Sequence, residues 1–280
     1  MKRTAVPENY GENQMHLQKT FLLLTVLFLA GCLSGQEIKF DTKEAWTGVS
    51  ERNITLRNGV FKVQGRVTLV SRDSFDIQPG KTYTLKGSFK SAGAEGAKLY
   101  FGFRQFDKNG RDIQTLNTDT IAWTDTVLIK PAKAADKTLF VKNAMKWKKY
   151  STCVIAYHTS TNFQDLPNFN ILENYAKSTK KIDTDEWEIT LSKSVGIDLP
   201  AGTNIRQHGG KGAGEMYTGG YLTTSDQWQT LTGSASGKLQ KGFSFQQWAP
   251  GAVKAKVCIR MNWNNSKAAT EMKNITLVIK

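Results

Sequence analysis

The alternation in TYTLKGSFK (82–90) constrains the fold of this chain more than any other feature. Tyr83, Leu85, Gly87 and Phe89 fall on one side of an extended backbone, and Thr82, Thr84, Lys86, Ser88 and Lys90 on the other. Successive side chains on a strand point to opposite faces, so this segment has one dry face and one wet face. AKLYFGFRQFD (97–107) repeats the pattern, with Leu99, Phe101 and Phe103 opposed to Tyr100, Gly102, Arg104 and Phe106. So does AKVCIRMNW (255–263), where Ala255, Val257, Ile259, Met261 and Trp263 oppose Lys256, Cys258, Arg260 and Asn262. In DEWEITLS, Trp187, Ile189 and Leu191 alternate with Glu186, Glu188 and Thr190. In NITLRNGVFKV (53–63), Asn58-Gly59 separates two β-branched runs, a hairpin signal. Beyond residue 31 no stretch sustains a 3.6-residue period with helix caps, and NILENYAKS (170–178) is expected to supply a turn or two of helix. The chain is therefore expected to be all-β, a jelly-roll β-sandwich with a β-rich inserted subdomain.

The sandwich is expected to span 38–112 and 219–280, interrupted by the insert at 113–218. The insert ends at GGKGAGEMYTGG (209–220), a loop of high backbone entropy that packing or a partner must order. A phosphate cradle would need a following helix, and the sequence offers none. Ahead of the body lies FLLLTVLFLAGC (21–32), far short of the roughly 20 residues of a membrane-spanning helix. Lys19 precedes it, and Leu29-Ala30-Gly31-Cys32 resembles the lipobox of bacterial lipoproteins. Residues 1–31 then read as a signal peptide, with Met15 as an alternative start, followed by lipidated Cys32 and a linker over 32–37. The expected location is the exported cell envelope, with the body tied to a membrane leaflet by the lipid.

The formal net charge of +14 and a pI near 9.6 favour an acidic partner. Only Lys146-Trp147-Lys148-Lys149 and Lys180-Lys181 are dense, and an exported body meets acidic polysaccharide rather than nucleic acid. An oxidising envelope permits Cys153 and Cys258 to pair, provided that their strands meet, which the sequence leaves open. After residue 31 the histidines are His158 and His208, at no zinc-ligand spacing from the cysteines, so no metal site and no cofactor are expected.

Pro79-Gly80 before Tyr83 and Leu85, and Phe106-Asp107-Lys108-Asn109-Gly110 at the end of the next strand, form a recognisable pattern. Trp228-Gln229-Thr230-Leu231-Thr232, then VKAKVCIRMNW and Lys273-Asn274-Ile275-Thr276-Leu277, continue it. Together they resemble family 4 and family 9 carbohydrate-binding modules, galactose-binding-like jelly rolls, over about 37–112 and 222–280. The resemblance implies non-catalytic polysaccharide binding along a sheet face. It also implies a structural calcium, against which Lys273-Asn274 counts, because that pair stands where the family closes with two acids.

Two sets of residues are candidates for glycan contact. Tyr100 and Arg104 share one wet face, and Lys256, Arg260 and Asn262 share another. If the two strands lie in one sheet, Tyr100 supplies a stacking plane and the guanidinium groups fork onto uronate or sulfate. The second set is Arg206, Gln207, His208, Tyr217 and Tyr221 around the glycine run. Trp187 and Trp263 are expected in the core, as are most of the 14 Phe, 8 Tyr and 7 Trp. A glycosidase needs two facing carboxylates, whereas Glu186 and Glu188 read as solvated. His208, Arg206 and Tyr217 would serve a polysaccharide lyase, but no fold-level signal accompanies them. The rival from another class is a structural or assembly lipoprotein whose wet face meets a protein partner.

Overall fold

The computed structural model describes residues 35–280 apart from 49, 51, 94–95 and 211–213. The signal segment, Cys32 and most of the 32–37 linker lie outside the described residues. The body is a two-sheet sandwich carrying a β-rich insert, as the alternation predicts.

One sheet runs in the order β17 (Gln229–Ser236), β7 (Thr82–Ser91), β19 (Ala269–Ile279), β4 (Val60–Gln64) and β3 (Ile54–Arg57). β1 (Gln36–Lys39) also pairs with β19. The other sheet runs β16 (Met216–Thr223), β8 (Lys98–Phe106), β18 (Lys254–Met261), β5 (Val67–Ser71) and β2 (Trp46–Thr47), with β6 (Phe75–Asp76) on β18. Neighbouring strands are seldom consecutive in the chain, which is the jelly-roll signature. The expected hairpin joins β3 to β4, and its turn puts Asn58 and Gly59 at φ 50° and 72°. Positive φ at both central residues matches the right-handed twist of the flanking strands.

The dry faces meet as expected. Tyr83, Leu85 and Phe89 of β7 pack against Leu99, Phe101 and Phe103 of β8 and Val257, Ile259 and Met261 of β18, all in one core. Trp248 anchors one end, its ring 5.1 Å from that of Tyr83 and 5.2 Å from that of Phe103. Each such aromatic contributes about 1.5–3 kcal/mol by leaving water.

The insert has its own core, in which Leu139, Val141, Ile155, Ile189, Leu191 and Ile205 are buried. It lies between a sheet of β10 (Thr138–Val141), β14 (Glu186–Leu191) and β13 (Ala176–Asp183) and a sheet of β12 (Ile171–Leu172), β11 (Val154–Tyr157), β15 (Asn204–His208) and β9 (Thr126–Val127). A single helical turn, α1 (Thr115–Thr118), links insert and sandwich. The Asn117 side-chain amide donates to Asn168 O at 3.0 Å, and Asn168 N donates to Asn117 O at 2.9 Å.

Three expectations change. NILENYAKS is β12 and the start of β13 rather than helix. Asn174 breaks any helical turn there, because its side chain donates to Lys193 O and Ser194 O across the loop. The glycine-rich segment is not loop throughout, since its end forms β16 and belongs to the sandwich. The insert's own strands therefore close at His208, short of the expected boundary at 218. Trp263 is 38% exposed, because β18 stops at Met261 and Asn262 takes φ 53°, which breaks the alternation. The pairing left open by the sequence is resolved: Cys153 and Cys258 are both buried and free, one beside the insert's β11 and the other in β18, so they do not bridge.

Candidate functional site

The wet faces of β8 and β18 lie side by side. The two strands are antiparallel neighbours, with Arg260 opposite Tyr100 and Lys256 opposite Arg104. β16 pairs with the other edge of β8 and brings Tyr221 opposite Tyr100. Between Met216, opposite Phe103, and Gly220, opposite Phe101, β16 bulges. The bulge passes directly over Gly102, where a Cβ would sit 2.0 Å from Met216 O and 2.6 Å from Tyr217 Cα. Any side chain at 102 would push it away. The absence of one lets Glu215 and Tyr217 settle onto the outer sheet face.

There the rings form a strip. Tyr100 sits between Tyr217 (centroids 4.9 Å apart) and Tyr221 (5.8 Å), and both pairs are inclined by 37°. Phe245, half exposed, stacks on Tyr217 at 6.4 Å. Tyr221 is 67% exposed, so one end of the strip is open to a ligand.

Glu215, only 5% exposed, organises the polar side. Its Oε2 accepts from the Tyr217 hydroxyl at 2.9 Å and from Arg260 Nη1 at 3.3 Å, and its Oε1 lies 3.6 Å from Arg104 Nη2. Arg260 Nη1 also donates to the Tyr217 oxygen at 3.1 Å, and its guanidinium covers the Trp263 ring at 4.0 Å. Asp112 lies on the far side of Arg104, 3.9 Å away. Burial pushes the Tyr217 phenol up to about 12, against the hydrogen bond from Arg260, so the phenol keeps its proton. Burial raises the Asp112 carboxyl, opposed by Arg104. Burial alone would lower Arg260, but its bond to Tyr217 and the charge of Glu215 outweigh that and hold it above its ordinary value.

Of the first candidate set, Tyr100, Arg104 and Arg260 come together. Lys256 is on the same face, but its ammonium donates to Arg72 O at 2.7 Å. Asn262 does not join. It is fully buried, its amide donates to Val63 O and Gly65 O, and its oxygen accepts from Thr270 at 2.7 Å. The second set divides. Tyr217 and Tyr221 belong to the strip, while Arg206, Gln207 and His208 are fully buried in the insert. Sequence reasoning missed Glu215, Asp112 and Phe245. Glu215 had one signal, its place two residues before a candidate tyrosine.

Lys273 puts its ammonium 4.2 Å from the Trp228 ring centre, and Lys90 adds another at 5.1 Å. Among the described residues, no group of three or more His, Cys, Asp or Glu side chains converges as a metal site.

No family model matches the chain, and no curated protein matches it. Among solved structures, the CBM22-1 xylan-binding domain from Paenibacillus barcinonensis Xyn10C aligns over 88% of this chain and 96% of its own, at 11% identity and a TM-score of 0.26. The CBM22-1-CBM22-2 tandem domain of the same protein aligns over 88% and 98%, at 9% identity and a TM-score of 0.15. Likeness at these scores carries no weight for function.

Proposed function

We propose that this chain is a non-catalytic polysaccharide-binding protein, held at a membrane by lipidated Cys32, that lays a glycan along the outer face of the β16–β8–β18 sheet. One observation carries the reading: three tyrosines from two strands form a continuous strip, open at Tyr221. Aromatic rings meet the apolar faces of sugar rings, and polar groups alongside take the hydroxyls.

The polymer is neutral rather than acidic in this reading. Arg104 and Arg260 stand beside the strip; Glu215 lies 3.6 Å from one and 3.3 Å from the other, and Asp112 lies 3.9 Å from Arg104. Their charge is already opposed by these carboxylates, so a uronate or sulfate gains less from them than from unpaired guanidinium groups. The basic charge elsewhere attracts polyanions diffusely, and modest salt screens such attraction. Catalysis finds little support in the same geometry. Asp112 and Glu215 flank one guanidinium, and Glu215 is buried beneath the rings rather than across a cleft from a partner.

Affinity gel electrophoresis of the body tests the reading. Gels carrying xylan, mixed-linkage glucan, galactan or galactomannan should retard the protein in moderate salt, with no new reducing ends. Retardation only by polyuronates, vanishing as salt rises, would reduce the binding to diffuse charge.

A further inference from the structure

The two sheets of the insert enclose a cleft that has no part in the tyrosine strip. Its volume is about 420 Å³, within the range of pockets that take small molecules. Trp187 of β14 forms its apolar wall, and Asp125, Asn143, Asp185 and Asn204 bring carboxylates and amides around it.

One of those acids is held from behind. Arg206, fully buried, donates from Nη2 to Asp165 at 2.8 Å and from Nη1 to Asp125 at 3.2 Å. Its Nε donates to His208 Nε2 at 3.2 Å. Asp165 is 8% exposed and by itself balances the buried cation. Asp125 is 34% exposed and lines the cleft. Its Oδ1 is taken by Arg206, whereas its Oδ2 receives no protein donor among the described residues. A buried arginine thus fixes an accessible carboxylate in one orientation, which a merely solubilising acid does not need.

The charges around the opening cancel, Lys142 and Lys181 against Asp125 and Asp185. An indole wall, two amides and a fixed carboxylate without net charge suit a ligand with apolar ring faces and many hydroxyls. We propose that the insert cleft is a second saccharide site, which takes the end of a neutral oligosaccharide independently of the strip. The site stands on the insert's own residues, so it survives or fails apart from the reading of the sandwich face.

The test is a titration of the ¹⁵N-labelled full chain, following tryptophan indole N–H resonances, with Trp187 assigned from a Trp187→Phe spectrum. The probes are glucose, galactose, mannose, xylose and N-acetylglucosamine with their β-linked disaccharides. At least one should shift the Trp187 signal in a saturable way, equally in the wild type and in Tyr221→Ala. Asn204→Ala and Asp185→Ala change exposed side chains, and each should weaken that binding about fivefold, the loss of about 1 kcal/mol of hydrogen bonding. The proposal is overturned if no probe moves the Trp187 signal, if Tyr221→Ala abolishes the shift, or if neither cleft variant alters it.

Discussion

The ring of Tyr217 lies over that of Tyr100, with centroids 4.9 Å apart, because a bulge in β16 crosses above Gly102. Tyr221 extends the strip from the regular part of the same strand. Tyr221→Ala removes the exposed ring without disturbing the fold. Glycan affinity should fall by about 1 kcal/mol, roughly fivefold in Kd, with the unfolding midpoint unchanged. Isothermal titration with the best-retained polymer reads the first quantity and thermal denaturation the second. Unchanged affinity would remove the strip from the binding surface.

Glu215 decides which polymers the face accepts. Glu215→Gln removes the carboxylate that Arg104 and Arg260 share; among the described residues this leaves Arg260 without an acid partner and Arg104 with Asp112 alone, 3.9 Å away. The variant should lose about 1–2 kcal/mol of stability, a figure reduced because both guanidinium groups are partly exposed. It should also gain retardation in polygalacturonate or alginate gels that persists in moderate salt, since Arg260 loses its carboxylate partner and Arg104 one of its two. A variant as indifferent to polyuronates as the wild type would contradict the assignment of a neutral ligand.

The wet and dry faces of β7, β8 and β18 were readable because strand alternation is a local property, and their burial follows it except at Ser88, Gly102 and Cys258, wet-face positions that are buried. The side-by-side placement of Tyr100 and Arg260 needed one further premise, that β8 and β18 pair. What alternation cannot show is where it fails. At Asn262 the backbone turns to positive φ, so a residue expected on the wet face is buried against Val63 and Gly65, and Trp263 swings out. At Gly102 a missing side chain admits a bulge whose residues are distant in sequence. Arg206 and His208 sit beside the glycine run in the chain, yet β15 carries them into the insert's sheet and β16 carries Tyr217 away. Proximity in sequence grouped residues that the topology separates.

The cysteines provide a check on burial, one in the sandwich and one beside the insert's β11. Burial pushes the Cys258 thiol up to about 12 and raises that of Cys153 as well. A buried neutral thiol is a poor nucleophile. A thiol-specific reagent should label neither in the native protein and both after denaturation without reductant. A single labelled thiol, or none, in the denatured body would mean that one or both are already oxidised.

His208 should make stability depend on pH. Its Nδ1 donates to Leu116 O at 2.8 Å, which leaves Nε2 as the acceptor for Arg206 Nε at 3.2 Å. Protonation would put a second N–H against the Arg206 donor. Burial, reinforced by the charge of Arg206, lowers the imidazole pKa from 6.5 to about 4. The unfolded chain therefore binds the proton more readily, and stability falls as pH drops through the window from 6.5 toward 4. The loss approaches 3 kcal/mol, at about 1.4 kcal/mol for each pKa unit. Urea unfolding of the wild type across that window should show the slope. His208→Gln keeps a neutral donor and acceptor at the site and should flatten it, whatever its effect on stability at neutral pH. Equal slopes in the two proteins would mean that folding leaves the proton affinity of His208 unchanged.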